Sequence, residues 1–132
     1  MKRIILAALM MLTAGVSASA LAEWVRVSGN DRVTAYADPG TLRKRGNIVK
    51  ITSLFDFKEE NTFADGSPYI SVLRESEFNC KDNVQHMISY AIYSGNMARG
   101  HVVDKGGEPQ DWKTVSPSNM ALAMRDYACK RE

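Results

Sequence analysis

The stretch SPSNMALAMRDYAC, residues 116–129, decides the fold, because it carries the one helical pattern in a chain whose other segments show strand patterns. Ser116 is a natural N-cap, and Pro117 suits the first helical position. The apolar residues that follow recur at the i, i+3, i+4, i+7, i+8 spacing of an amphipathic helix, and they are Met120, Ala123, Met124, Tyr127 and Ala128. The pattern predicts a C-terminal helix that packs on one face of a sheet.

The first 22 residues have the features of a secretory signal peptide. Lys2-Arg3 precedes an apolar run from Ile4 to Val16, and Ala20-Leu21-Ala22 is a small-x-small cleavage site. The run is too short for a transmembrane helix, which needs about 20 apolar residues. No cysteine follows the cleavage site, so we expect no lipid anchor. The sequence therefore predicts export, to the periplasm or to the cell surface and medium, of one domain spanning residues 23–132.

The charge balance of that domain argues against nucleic acid as a partner. Lys2 and Arg3 account for two of the 17 Lys and Arg residues, so residues 23–132 carry 15 basic and 15 acidic side chains. A net charge of zero gives no general attraction to phosphate backbones. We therefore expect no binding of nucleic acid.

The two cysteines of the chain, Cys80 and Cys129, predict one disulfide, because an exported protein folds in an oxidising compartment. In the strand pattern that ends at Cys80, this residue shares its face with Phe78 and points toward the core. Cys129 lies about 180° from Met120 on a helix of 100° per residue. We therefore expect the helix to end just before Cys129, so that its thiol can turn back toward the sheet.

The region between residues 23 and 116 alternates strand patterns with turn residues. The predicted strands are Trp24–Val27, Val33–Ala37, Ile48–Phe57, Ile70–Cys80, Val84–Tyr93, His101–Asp104 and an edge strand within Trp112–Val115. Asp38-Pro39-Gly40 is expected to end the second strand, and Lys58–Pro68 is expected to be an exposed loop. The fold class that follows is α+β, a single antiparallel sheet of about six strands with a C-terminal helix packed on one face and tied by a disulfide.

The sequence offers no constellation for catalysis or for a metal ion. His86 and His101 lie in different predicted strands with no cysteine or serine motif beside them, and His86 shares a face with Val84 and Ile88, so a structural role is expected for His86. A group of acidic residues has no calcium-loop spacing and is expected to be a solvated loop; it comprises Asp56, Glu59, Glu60 and Asp65. We therefore expect no enzyme activity, no cofactor and no metal site.

Two surfaces are candidates for binding. The cluster Arg43-Lys44-Arg45 before the Gly46-Asn47 turn could contact acidic partner surfaces or heparin-like chains, although such clusters are often merely solvated. The strand faces turned away from the helix carry more apolar residues than a wet face should, namely Leu54, Leu73, Met87, Ala91 and Tyr93. A homodimer would bury this face; the alternative is that the Lys58–Pro68 loop folds back over it.

The order of these features resembles the surface-adhesin protein E-like domains of Gram-negative bacteria. The matching pieces are Trp24, Tyr36-Ala37-Asp38-Pro39, Gly46-Asn47, Glu77-Phe78-Asn79-Cys80, Trp112, Val115-Ser116-Pro117 and Ala128-Cys129. The resemblance implies an antiparallel sheet with the helix on its concave side, a disulfide and a tendency to dimerise. It also implies an exported, adhesin-like binding module for a host matrix or envelope protein. The alternative is a periplasmic structural or accessory protein.

Overall fold

The computed structural model describes residues 23–130 as one antiparallel sheet of seven strands with one α-helix. The predicted signal peptide and residues 131–132 lie outside the described part. The elements are β1 (Val25–Gly29), β2 (Val33–Arg45), β3 (Ile48–Thr62), β4 (Pro68–Asn79), β5 (Val84–Tyr93), β6 (Val102–Gly106), β7 (Lys113–Thr114) and α1 (Asn119–Lys130). The strands from β1 to β6 pair in chain order, and β7 pairs with the free part of β5. The predicted α+β class is confirmed.

Asp38-Pro39-Gly40 does not end the second strand, as the sequence led us to expect, but forms a bulge inside β2. The register between β2 and β3 shifts between Asp38 and Arg43. Side chains supply the missing ladder bonds there: the Asp38 carboxylate accepts from the Gly40 amide at 3.0 Å, and the Thr41 hydroxyl accepts from the Thr52 amide at 2.9 Å. A proline is tolerated at a bulge, because the ladder does not need its missing N–H there.

The predicted loop Lys58–Pro68 is also corrected, because most of it belongs to strands. β3 continues to Thr62 and β4 begins at Pro68, which leaves only residues 63–67 as a turn. The turn is closed by hydrogen bonds from the Phe63 amide to the Ser67 carbonyl and from the Gly66 amide to the Phe63 carbonyl. Polar composition misled the prediction, since long two-stranded ribbons can be solvated on both faces.

The core lies between α1 and the strands β2, β3 and β4. Its sheet side is made of Ala35, Ala37, Val49, Ile51 and Phe78, and its other side of Val115, Met124 and Ala128. The alanines on β2 are fully buried, so the helix approaches this part of the sheet closely. Burial of each large side chain contributes roughly 1.5–3 kcal/mol of favourable transfer free energy.

The helix begins later and ends later than predicted. Ser118, and not Ser116, caps it: the Ser118 hydroxyl accepts from the Ala121 amide at 3.3 Å, and α1 starts at Asn119. The helix runs through Cys129 to Lys130, so the expectation that it ends before Cys129 was wrong.

The disulfide forms without a break in the helix, because the side of α1 that faces the sheet leaves Cys129 within reach of Cys80. Its most buried residues are Met124 and Ala128, and Cys129 lies about 100° from Ala128 on the flank. From that flank the predicted Cys80–Cys129 bond forms with a Cα–Cα distance of 5.7 Å. The disulfide prediction is confirmed.

Candidate functional site

A cavity of about 400 Å³ lies on the helix side of the sheet, meaning the face on which α1 packs. Its floor is formed by side chains of β3 and β4, including Phe55, Val72 and Phe78. Its wall is the first half of α1, with Met120 and Met124. This helix-side cavity exists because α1 lies mainly over β1 and covers β3 and β4 only in part, which leaves some of their apolar surface open beside the helix.

Arg74 lies at the mouth of the helix-side cavity. In β4 it shares the side of Val72 and Phe78, and the carbon at the centre of its guanidinium lies 4.8 Å from the centroid of the Phe55 ring. This is the distance of a cation–π contact. Sequence reasoning missed this site, although Arg74 was a visible signal: it is a charged residue at a core-facing position of an alternating strand.

A second polar arrangement joins β4, β5 and the segment before β7. His86 on β5 lies opposite Glu77 on β4, with its Nε2 at 2.8 Å from the Glu77 Oε1 atom and its Nδ1 at 2.9 Å from the Gln110 carbonyl oxygen. The Trp112 ring stacks on the imidazole at a centroid distance of 4.0 Å, while 41% of Trp112 stays exposed. Both ring nitrogens of His86 are therefore engaged within the fold, in keeping with the predicted structural role.

The predicted basic cluster lies at the end of the β2–β3 hairpin, where Arg43, Lys44 and Arg45 are exposed. Arg45 forms an ion pair of 3.3 Å with Glu77, and its side chain remains 73% exposed. Arg43 donates from Nη1 to the carbonyl oxygens of Gly40 and Leu42. These backbone bonds hold the Arg43 guanidinium at the surface, so the hairpin end presents an ordered positive patch.

The outer face of the sheet, opposite α1, is less apolar at the surface than the sequence predicts. Leu54 and Leu73 pair across β3 and β4, but Leu54 is 0% exposed within the single chain. Leu73, Ala91 and Tyr93 are partly buried. Met87 pairs with Ser76, which lines the helix-side cavity. Met87 therefore lies on the helix side of the sheet, and not on the outer face with Leu73 as predicted. The cause is a β-bulge at Ile88, which has no partner residue on β4. Because of this extra residue, the side chains of β5 before and after Ile88 alternate out of phase.

Part of the outer face is covered by the segment Ser94–Gly100 and not by the loop that the sequence suggested. The Asp56 Oδ1 atom accepts from the Asn96 side chain at 3.0 Å and from the Met97 amide at 2.8 Å. The Ser71 hydroxyl donates to the Gly95 carbonyl at 2.6 Å and accepts from the Ala98 amide at 3.0 Å. Asp56 and Ser71 face each other across β3 and β4, so these four bonds fasten the segment over both strands.

Comparison with known proteins identifies the family. The family described as surface-adhesin protein E matches residues 24–130. The chain belongs to the surface-adhesin protein E family. The protein E fold agrees: a crystal structure of Haemophilus influenzae protein E, crystal form II, superposes with a TM-score of 0.64 at 13% identity, covering 81% of this chain and 87% of that one.

A second solved structure, protein E from non-typeable Haemophilus influenzae, superposes with a TM-score of 0.60 at 14% identity, covering 81% of this chain and 75% of that one. No curated protein matches the sequence. The resemblance drawn from the sequence is confirmed, and at these identities the solved structures establish the fold alone.

The protein E family is one of surface adhesins and not of enzymes. Within residues 23–130 there is no group of three or more His, Cys, Asp or Glu side chains arranged to hold a metal ion. The same part of the chain contains no helix of the length and apolar character needed to cross a membrane. The predicted acidic group is dispersed: Asp56, Glu59 and Glu60 lie along β3, and Asp65 lies in the following turn.

Proposed function

We propose that this chain is an exported, non-enzymatic, adhesin-like module that recognises a protein partner, either a host matrix protein or an envelope protein. Membership of the surface-adhesin protein E family is the observation that carries the proposal. We assign the recognition surface to the hairpin end formed by Arg43, Lys44 and Arg45, three consecutive exposed cations at the end of β2. Such a patch favours a partner with an acidic surface and speeds their encounter.

Binding to immobilised matrix proteins tests this assignment. The double variant Arg43→Gln, Lys44→Gln removes two charges and leaves the Arg45–Glu77 ion pair intact. The matched control, Lys58→Gln, Arg99→Gln, removes the same two charge types from exposed positions elsewhere. We expect the first variant to bind at least about tenfold more weakly and the control to bind like wild type, with a wild-type affinity that falls as salt rises. Equal binding by all three proteins would reject the hairpin as the recognition surface.

Export is part of the proposal, with residues 1–22 acting as the signal peptide. N-terminal sequencing of the protein isolated from its own cells should begin at Glu23-Trp24-Val25. Folded protein in the cytoplasm that still begins at Met1 would contradict it.

The competing function is that of a periplasmic structural or accessory protein. Cell fractionation separates the two: protein at the cell surface or in the medium supports adhesion, and protein confined to the periplasm supports the accessory role. We favour adhesion because the family is defined by surface adhesins.

A further inference from the structure

We propose that the helix-side cavity binds a small amphipathic anion, with an apolar body in the cavity and one carboxylate head on Arg74. This site is separate from the hairpin end and does not depend on the function proposed above. The juxtaposition that supports it is an apolar hollow of about 400 Å³ with a cation at its mouth. Pockets for small molecules commonly have volumes of about 300–1,000 Å³, mostly apolar walls and a few placed polar groups.

The cavity is preformed, because both of its sides are held in place. The floor belongs to the central strands β3 and β4, each paired with a neighbour on both sides. The wall belongs to α1, which the Cys80–Cys129 bond and the burial of Met124 and Ala128 fasten to the sheet. A ligand that enters such a cavity gains apolar contact without a large cost of ordering the protein.

The floor and wall favour an alkyl or ring body over a polar one. Phe55, Val72 and Phe78 are on one side and Met120 and Met124 on the other. Methionine side chains are flexible and polarisable, so they can adapt to the shape of an apolar ligand. The uncharged lining groups, such as Ser53 and Gln85, can donate hydrogen bonds but do not require a charged partner.

Arg74 decides the charge of the ligand. Among the described residues it is the one charged side chain that lines the cavity. The ion pairs of residues 23–130 involve other cations, and the guanidinium of Arg74 contacts the Phe55 ring instead of a carboxylate. Arg74 keeps access to solvent, yet desolvation by the surrounding protein lowers its pKa, as expected at a cavity mouth. A planar guanidinium in this position is suited to a carboxylate with two parallel hydrogen bonds.

The test uses the processed, oxidised protein with decanoate as the anionic probe and decyl alcohol as its neutral counterpart. Met87, Met97, Met120 and Met124 are the methionines of residues 23–132, so methyl-labelled protein reports on both sides of the sheet. Decanoate should shift the Met120 and Met124 methyl resonances and leave Met97, in the segment over the outer face, unchanged. We expect saturation below roughly 1 mM, with clearly weaker binding of the alcohol.

Two variants separate the head group from the apolar body. Arg74→Gln should weaken decanoate binding about tenfold and leave alcohol binding unchanged, because a charge-assisted contact is lost. Arg99→Gln is the matched control at an exposed arginine on the outer side and should bind like wild type. Ala121→Phe adds bulk to the cavity wall and should weaken both probes, with the fold checked by circular dichroism.

The proposal is overturned if decanoate shifts none of the cavity methyl resonances at that concentration. It is equally overturned if Arg74→Gln and wild type bind decanoate with the same affinity. Shifts confined to Met97 or Met87 would place the binding elsewhere and would also reject the cavity.

Discussion

Arg125 on α1 donates a hydrogen bond of 3.0 Å from Nη2 to the carbonyl oxygen of Cys80, beside the disulfide that joins Cys80 to Cys129. Cys80, directly after β4, is therefore tied to the second half of α1 both covalently and by a hydrogen bond. The disulfide closes a sequence separation of 49 residues. In the chain-entropy model a loop of this length stabilises the fold by about 4 kcal/mol.

Loss of the disulfide should destabilise the protein and still leave it folded. In the Cys80→Ala, Cys129→Ala variant, Met124 and Ala128 remain in the core and Arg125 keeps its bond to the carbonyl of residue 80. We expect the free energy of unfolding to fall by roughly 2–5 kcal/mol, as is typical of small secreted domains. Urea unfolding of the variant and of reduced wild type measures this, and unchanged stability in both would contradict it.

The bonds of Glu77 predict a dependence of stability on pH. Burial acts to raise the pKa of Glu77, but hydrogen bonds from His86 and Arg45 outweigh it and hold the pKa below the usual value of 4.5. A carboxyl with a lowered folded-state pKa stabilises the protein above its unfolded-state pKa, and this stabilisation is lost as pH falls through the folded-state pKa.

The variant Glu77→Gln isolates that contribution. We expect it to be less stable than wild type at pH 7, with a difference that shrinks as pH falls below about 4.5, because wild-type Glu77 then becomes protonated too. Glu60→Gln, at an exposed position of β3, is the control and should show no such trend. Urea unfolding between pH 3 and pH 7 measures the stability of both variants. If the difference between wild type and Glu77→Gln does not change with pH, the charge of Glu77 does not stabilise the fold.

Gly100 is predicted to be required by the segment that covers the outer face. Its φ of +81° lies in the left-handed region, and a Cβ there would meet the Ser94 hydroxyl. Gly100→Ala should therefore lower the free energy of unfolding by about 1–3 kcal/mol. Gly107→Ala is the matched control, because a Cβ at Gly107 meets nothing within 4 Å. Equal stability of the two variants in urea unfolding would show that the segment adapts at little cost.

The remaining apolar part of the outer face is proposed as a homodimer interface. Leu73 and Tyr93 stay partly exposed beside the covering segment, and a specific interface buries about 800 Å² per partner. We expect wild type to sediment as a dimer at micromolar concentration and Leu73→Lys, Tyr93→Glu to be a folded monomer. Leu122→Lys, at an exposed leucine of the helix, should leave the dimer intact. If wild type is monomeric throughout the micromolar range, the outer face does not form a dimer interface.

The sequence by itself determined the features that depend on local periodicity and composition. Alternation of period two placed Val49, Ile51 and Phe78 on the core side, and the helical stripe placed Met124 and Ala128 against them. The two cysteines of a chain with a predicted signal peptide determined the disulfide, because no other pairing within the chain is available. Periodicity is a property of one segment and the number of cysteines is a property of the whole chain, so both can be determined without knowing which segments pack together.

Only the tertiary structure decided where that alternation breaks and which surfaces stay open. The bulges at Pro39 and Ile88 depend on the register with neighbouring strands and on side chains that replace ladder bonds, and one bulge moved Met87 to the other face. Coverage of Asp56 and Ser71 on the outer face depends on where Ser94–Gly100 lies, and the open cavity at Arg74 depends on where α1 packs on the sheet. Such packing depends on contacts between residues far apart in sequence, which periodicity along one strand does not contain.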